Sequence, residues 1–258
     1  MNMKKTSIVI GVSLLALTAG LASCRGGSSS EAYETILGLF RQPPSEYRSA
    51  PLWVWNDRMT KEEIRSALAD FKERGIGGAF IHPRPGLITP YLSEEWLSLC
   101  RYAVETGKSL GLKIWIYDEN SYPSGFAGGH VPAQMPEAAR SGLRLTRIQG
   151  PPRASNRTPL VVLRQALSRF EDVTGKVGPD PRDNALYYVF DVVRQEPSPW
   201  YGGFTYVDLM RKGVTERFLD ITHNAYKQVI GAEFGQTVPG AFQDEAEIGP
   251  PDGILHQI

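Results

Sequence analysis

The sequence predicts an α/β fold in which short apolar strands alternate with helices along a parallel sheet. Three observations predict it. Strand-like runs and helix-period runs follow one another from residue 52 to 117, and two strands end in an Asp-Glu pair, Asp118-Glu119 and Asp244-Glu245. A stretch rich in β-branched and aromatic residues, about 140–195, then interrupts the rhythm. Consecutive strand-helix units call for right-handed crossovers and favour a barrel or a doubly wound sheet. No glycine-rich phosphate fingerprint follows the first strand, which argues against a dinucleotide fold. The expected architecture is a parallel array of about four strand-helix units, the first part of a partial TIM (β/α) barrel or of a doubly wound sheet, with a small β insertion after the third strand.

Leu52-Trp53-Val54-Trp55 reads as the first strand, with Asn56 and Asp57 at its carboxyl end. Thr60-Lys61-Glu62-Glu63 matches a capping box and opens a helix with Ile64, Leu68 and Phe71 on one face, stopped by Gly75. Gly77 to Ile81 forms the second strand and delivers His82. A second helix starts near Ser93, places Trp96, Leu97, Cys100 and Val104 together, and ends between Gly107 and Gly111. Ile114 to Tyr117 is the third strand. In the insertion, Leu143–Ile148, Leu160–Leu163 and Leu186–Val193 read as strands. One long helix from Val214, with Phe218, Ile221, Ala225 and Val229 inward, then leads to a fourth strand, Val238 to Phe242.

The amino terminus has the form of an export signal. Lys4 and Lys5 precede an apolar run from Ile8 to about Leu21, too short for a stable membrane span. Leu21-Ala22-Ser23-Cys24 resembles the bacterial lipobox, so residues 1–24 are expected to be a lipoprotein signal with Cys24 lipidated, and 25–49 a tether and lead-in. The protein is then exported and lipid-anchored to the cell envelope, at the outer membrane or its periplasmic face. Cys100, on an apolar helix face, is expected in the core, without an intrachain disulfide. Basic and acidic residues balance at 28 each, and loss of the signal removes two lysines and no acid. A near-neutral chain without a basic run gives no electrostatic case for nucleic-acid binding.

Paired acids beyond the carboxyl ends of parallel strands stand where α/β barrels build active sites, and glycosidic cleavage needs two carboxyls in different protonation states. Glu245 is the candidate proton donor, with Asp244 beside it raising the cost of ionising both. The alternative is a pair of solvated or salt-bridged loop acids. Asp118, Glu119 and Tyr122 open a segment, 117–129, whose acids, amides, hydroxyls and glycines suit a sugar. The same oxygens could hold a calcium ion, and otherwise Asp118 caps local N–H groups in a turn. His82 is either a substrate donor or a structural histidine. Trp53 and Trp55 share one face, so both are core or both are lining, while Trp200 and Tyr201 could stack on sugar rings. His130 and His223 have no zinc-like spacing.

Four segments resemble one family in its own order: Pro51–Asn56, Thr89–Trp96, Tyr117–Gly129, and Val207–Leu209 through Gly235–Glu245. They are similar to the bacterial glycoside hydrolases of family 106, the α-L-rhamnosidase-like group, over roughly residues 50–245 outside the insertion. The resemblance implies a barrel domain at 50–258, inverting acid-base hydrolysis of terminal sugars on plant or microbial polysaccharides, and an optional active-site calcium. It makes Glu245 the general acid and puts Asn56, His82, Asp118 and Glu119 around the sugar, with Trp55 and Tyr122 as further lining. Ala246 departs from the Pro that commonly follows the Asp-Glu pair in relatives.

A full barrel takes eight units in about 250 residues, and here four are legible. Such a half-barrel leaves sheet edges and an apolar face open, which predicts self-association or a second polypeptide supplying a missing carboxyl-terminal half. The competing expectations are a non-catalytic, carbohydrate-binding surface lipoprotein and an inactive fragment.

Overall fold

The computed structural model describes residues 29–250 apart from 154–157, 177, 179 and 181. The signal, the lipobox and Cys24 lie outside the described residues. The chain divides into two units, one up to Arg48 and one from Ser49 onward. In the first, where sequence suggested only a lead-in, helix α1 runs Ser29–Arg41 and leaves Tyr33, Ile36 and Phe40 exposed.

In the second unit, β1 (Leu52–Trp55) leads to α2 (Lys61–Glu73). Thr60 caps α2 by the expected capping box: its hydroxyl accepts from the Glu63 N–H at 3.2 Å while the Glu63 carboxylate accepts from the Thr60 N–H at 3.1 Å. Next come β2 (Gly78–Pro83), α3 (Glu94–Leu110) and β3 (Lys113–Tyr117). Ser93 caps the start of α3, and Gly111, in the left-handed region at φ 70°, ends it. After β3 comes a short helix, α4 (His130–Gln134). Four antiparallel strands follow: β4 (Ser141–Gln149), β5 (Val161–Ala166), β6 (Arg169–Asp172) and β7 (Leu186–Arg194), in the spatial order β4-β7-β5-β6. This is the expected insertion, and β6 is its unforeseen strand.

The main sheet is parallel, in the order β1-β2-β3-β8, with β8 reduced to Ala241–Phe242. The expected fourth strand was longer. Pairing with β3 nevertheless extends past β8, through Ile114 N–H to Thr237 C=O at 2.9 Å and Asp118 N–H to Phe242 C=O at 3.2 Å. No closed barrel is formed among the described residues; what stands is a mixed α/β unit with a parallel sheet and helices.

Side chains alternate across this sheet. Trp55, Ile81, Ile114 and Ile116 face the helices and join Ile64, Leu68, Trp96, Cys100 and Val104 in the main core. Cys100 is buried in this core, as expected. The long helix expected from Val214 is broken at Thr222 into α5 (Val214–Ile221) and α6 (His223–Ile230). The Thr222 hydroxyl donates back to the Phe218 carbonyl at 2.7 Å, and Thr222 joins the two helices with its backbone still in the right-handed region. Tyr226 and Ile230 are the buried core residues of α6, and Val229, expected inward, packs half-buried against the same core, with Ala225 also half-buried.

The opposite sheet face carries Leu52, Val54, Phe80, Trp115 and Phe242. Phe80 stacks on Trp115 at 5.0 Å and meets Phe242 edge-on at 5.8 Å. Leu52 and Val54 stay nearly half exposed, at 46% and 45%. Parallel sheets are ordinarily covered on both faces, so these half-exposed side chains are the place to test for association. Replacing Leu52 and Val54 together by Glu is expected to reduce concentration-dependent association in sedimentation velocity with an unchanged circular-dichroism spectrum. Unaltered association would show that self-contact, if any, runs through another surface. Gly78→Ala tests the sheet itself: a Cβ there would stand 2.2 Å from the Lys113 carbonyl oxygen, so unfolding should become easier by about 2 kcal/mol or more.

Candidate active site

The carboxyl ends of β3 and β8 are locked together by one serine. Ser124 is fully buried; its hydroxyl donates to Asp118 Oδ1 at 2.7 Å and accepts the Asp244 N–H at 2.9 Å. The Ser124 N–H in turn donates to the Asp244 carbonyl at 2.8 Å. The two Asp-Glu pairs therefore meet on one rim although 126 positions separate them along the chain, counting from 118 to 244.

Their four carboxylates have different surroundings. Glu119 is fully buried and collects five backbone N–H groups: Asn120 and Gly128 on Oε1, and Gly125, Phe126 and Ala127 on Oε2. Burial pushes its carboxyl up to about 8, against the downward pull of those amides. Asp118, 2% exposed, spends Oδ1 on Ser124, and Oδ2 lies 3.2 Å from His223 Nε2. Asp244 is half-buried and accepts the Tyr117 hydroxyl at 2.6 Å. Glu245 alone is exposed, and it accepts a hydrogen bond from the Tyr122 hydroxyl. That bond pushes the Tyr122 phenol up to about 12.

Glu245 also sits at φ 41°, in the left-handed region a side chain rarely adopts, as do Ser121 at 84° and Ala127 at 53°. Strained backbone of this kind costs about 1–3 kcal/mol per residue and clusters where function demands a fixed geometry. The chain beyond Glu245 is tied down by Arg140, 4% exposed, which donates to the Glu247 carboxylate at 2.7 Å and to the carbonyls of Gly249 and Pro250, both at 2.6 Å. Tyr206 joins both sides: its hydroxyl donates to the Ser124 carbonyl at 2.6 Å and accepts the Glu247 N–H at 3.1 Å.

His82, from the end of β2, stacks on Tyr117 with 4.0 Å between ring centroids. It is 2% exposed, and neither ring nitrogen has a hydrogen-bond partner among the described residues. Burial, reinforced by the neighbouring Arg84 charge, lowers its pKa to about 4, so at neutral pH the ring presents one donor and one acceptor.

No protein-family model and no curated protein matches the chain. Among solved structures it is similar to a rhamnosidase from Novosphingobium sp. PP1Y, with a TM-score of 0.37 and 25% identity. That similarity covers 49% of this chain and 15% of that protein, so the chain spans a small part of its length.

The structure thus brings Asp118, Glu119, Tyr122, His82, Asp244 and Glu245 to neighbouring strand ends, and it sorts them. Trp55 is a correction: it is fully buried, edge-on to Trp53 and Trp96 at 5.2 Å each, and packs rather than lines. Glu119 is another, since both its oxygens face inward onto amides; the capping of local N–H groups foreseen for Asp118 falls to its neighbour. Asn56 is exposed at the end of β1. The oxygens of Asp118 and Glu119 foreseen for calcium are engaged by protein donors, and among the described residues no group of three His, Cys, Asp or Glu side chains stands together. His223 was passed over in sequence for lack of metal spacing, and its contact with Asp118, 105 positions away, has no local sequence signal.

Glu119→Gln replaces one acceptor oxygen by an NH₂ group facing at least two buried amides. Unpaired buried groups cost about 1–3 kcal/mol each, so unfolding in urea should become easier by on the order of 3 kcal/mol. Unchanged stability would refute the anchoring role. For His82 the folded pKa of about 4 lies below the unfolded 6.5. Its contribution to stability is therefore present above pH 6.5 and lost as pH falls towards 4. Subtracting the stability–pH curve of a His82→Phe variant from that of the parent should expose this slope, and parallel curves would contradict it.

Proposed function

We propose that the rim formed by the ends of β2, β3 and β8 binds a sugar, and that the chain carries the proton-donor side of a glycoside hydrolase active site of the rhamnosidase-like kind, within a partial (β/α) barrel. The observation that supports this most is Glu245: an exposed carboxyl on strained backbone, hydrogen-bonded by a tyrosine, beside a second acid anchored by Tyr117. In this reading protonated Glu245 gives its proton to the glycosidic oxygen as the bond to the anomeric carbon breaks, and the Tyr122 hydroxyl stabilises the carboxylate left behind. Asp118 and Glu119 are engaged and buried, so the complementary carboxylate is Asp244 or an acid beyond the described residues. His82 is buried and supports the rim by stacking on Tyr117.

A second reading, a non-catalytic carbohydrate-binding protein, is favoured by Trp200, 62% exposed and edge-on to Tyr122 at 6.4 Å, a platform available for stacking on a sugar ring. We also propose export with lipid attachment at Cys24, which a Cys24→Ser change should convert to release from the membrane fraction. No described helix is long and apolar enough to cross a membrane.

Incubation with an aryl α-L-rhamnoside, alongside titration with methyl α-L-rhamnoside, separates the two readings. Turnover that falls by about 10²-fold or more in Glu245→Gln supports the hydrolase. Saturable binding without turnover supports the binding protein. Neither binding nor turnover overturns both.

A further inference from the structure

Helix α1, Ser29–Arg41, is 13 residues long and two-faced. At 3.6 residues per turn, Ala32, Tyr33, Ile36, Leu37, Leu39 and Phe40 share one arc, and Glu31, Glu34, Thr35, Gly38 and Arg41 share the other. No charge interrupts the apolar arc. That arc is open: Tyr33 is 61% exposed, Ile36 66% and Phe40 83%. A helix of this length is marginal in water by itself, so its stability comes from whatever its apolar face rests on.

Four residues decide what lies close. Only Arg25-Gly26-Gly27-Ser28 separates Ser29 from Cys24, the position read as lipid-bearing. Five Cα steps reach about 18 Å at full extension, no more than the length of α1 itself, about 20 Å. A lipid carried by Cys24 therefore keeps the first turn of α1 at the bilayer surface. A helix with one apolar and one charged face lies in that surface with its apolar side among the acyl chains. The anchor makes this docking intramolecular, so a short helix with weak affinity of its own suffices. Glu31 and Glu34 outnumber Arg41, so the attraction is apolar and needs no anionic lipid.

Resting on the reading of Cys24 as the lipid-bearing residue, we propose that α1 is a membrane-surface helix whose Tyr33–Ile36–Phe40 face enters the lipid interface. The protein is then held to the membrane twice, by an acyl anchor and by a helix lying flat beside it.

The test uses the full processed chain, reconstituted in phosphatidylcholine vesicles, with acylation read by mass spectrometry. Ile36→Cys, Phe40→Cys and Glu34→Cys are each labelled with a thiol-reactive nitrobenzoxadiazole probe. Cys100 is buried and the Cys24 thiol is taken by the lipid, so the label goes to the new position. Quenching by doxyl-labelled lipids should place the probes at 36 and 40 about 5–10 Å below the headgroup boundary, and the probe at 34 outside it. Adding Ile36→Glu to the Phe40→Cys chain should return that probe to water while the chain stays on the vesicles. Equal quenching at 34 and 40 overturns the proposal and leaves the anchor standing. So does a probe at 40 that is shielded from water yet untouched by the lipid quencher, because a protein surface then covers the face. A processed chain that carries no acyl mass removes the anchor and the proposal together.

Discussion

One buried carboxylate organises the loop on which the candidate site depends. Glu119 lies at the end of β3, where the sheet stops and the chain has to turn through 120–129 before the insertion. Peptide N–H groups in such a turn have no ladder to donate to, and five of them converge on the two oxygens of Glu119. With those donors satisfied the loop can be buried, and Phe126 and Ala127 pack against Val131, Tyr206 and Phe218 in a second core. Ser124 is thereby fixed where it bridges Asp118 to the Asp244 backbone. The placement of Glu245 is thus several steps removed from its own sequence neighbours, and the steps that lead to it are hydrogen bonds of buried Glu119 and Ser124.

The same chain of contacts explains how four similar acids come to differ. A carboxylate's role follows from what has already claimed its lone pairs. The acids of the first pair face inward, towards serine, histidine and amides; those of the second face the rim, each with a tyrosine hydroxyl. Only the second pair keeps capacity for a ligand. Spacing alone could not have made that division, because both pairs follow an apolar strand and read alike.

What the sequence did make legible were features with local causes. The capping box at Thr60 and the stops at Gly75 and Gly111 rest on interactions within a few residues, and the first three strands and the insertion were read from local pattern although their pairing joins residues far apart in the chain. The misreadings concern which way a side chain faces and how far a strand runs. Trp55 looked like lining because its strand end faces the site, yet alternation turns its ring to the helices, where Trp53 and Trp96 meet it. On α5 and α6 the buried stripe runs Phe218, Thr222, Tyr226 and Ile230 with Val229 packed beside it, so the expected face lay one residue away from the true centre of the stripe. The brevity of β8 was invisible because Val238 is as apolar as a strand residue should be, but it is buried in the helix-side core and sits outside the named strand.

The open sheet face bears on the chemistry as well as on association. Tyr117, the hydrogen-bond donor to Asp244, is stacked between His82 and Phe242, at 4.0 and 5.8 Å, on the side of the sheet that carries the half-exposed Leu52 and Val54. Burial already raises the Tyr117 phenol well above its usual value, with the bond to Asp244 adding to the shift. Whatever covers that face would remove further water from the aromatic stack and strengthen the Tyr117–Asp244 bond. Covering the sheet and filling the site are therefore coupled through one tyrosine ring, and the strength of sugar binding should follow the state of a surface the sugar never touches.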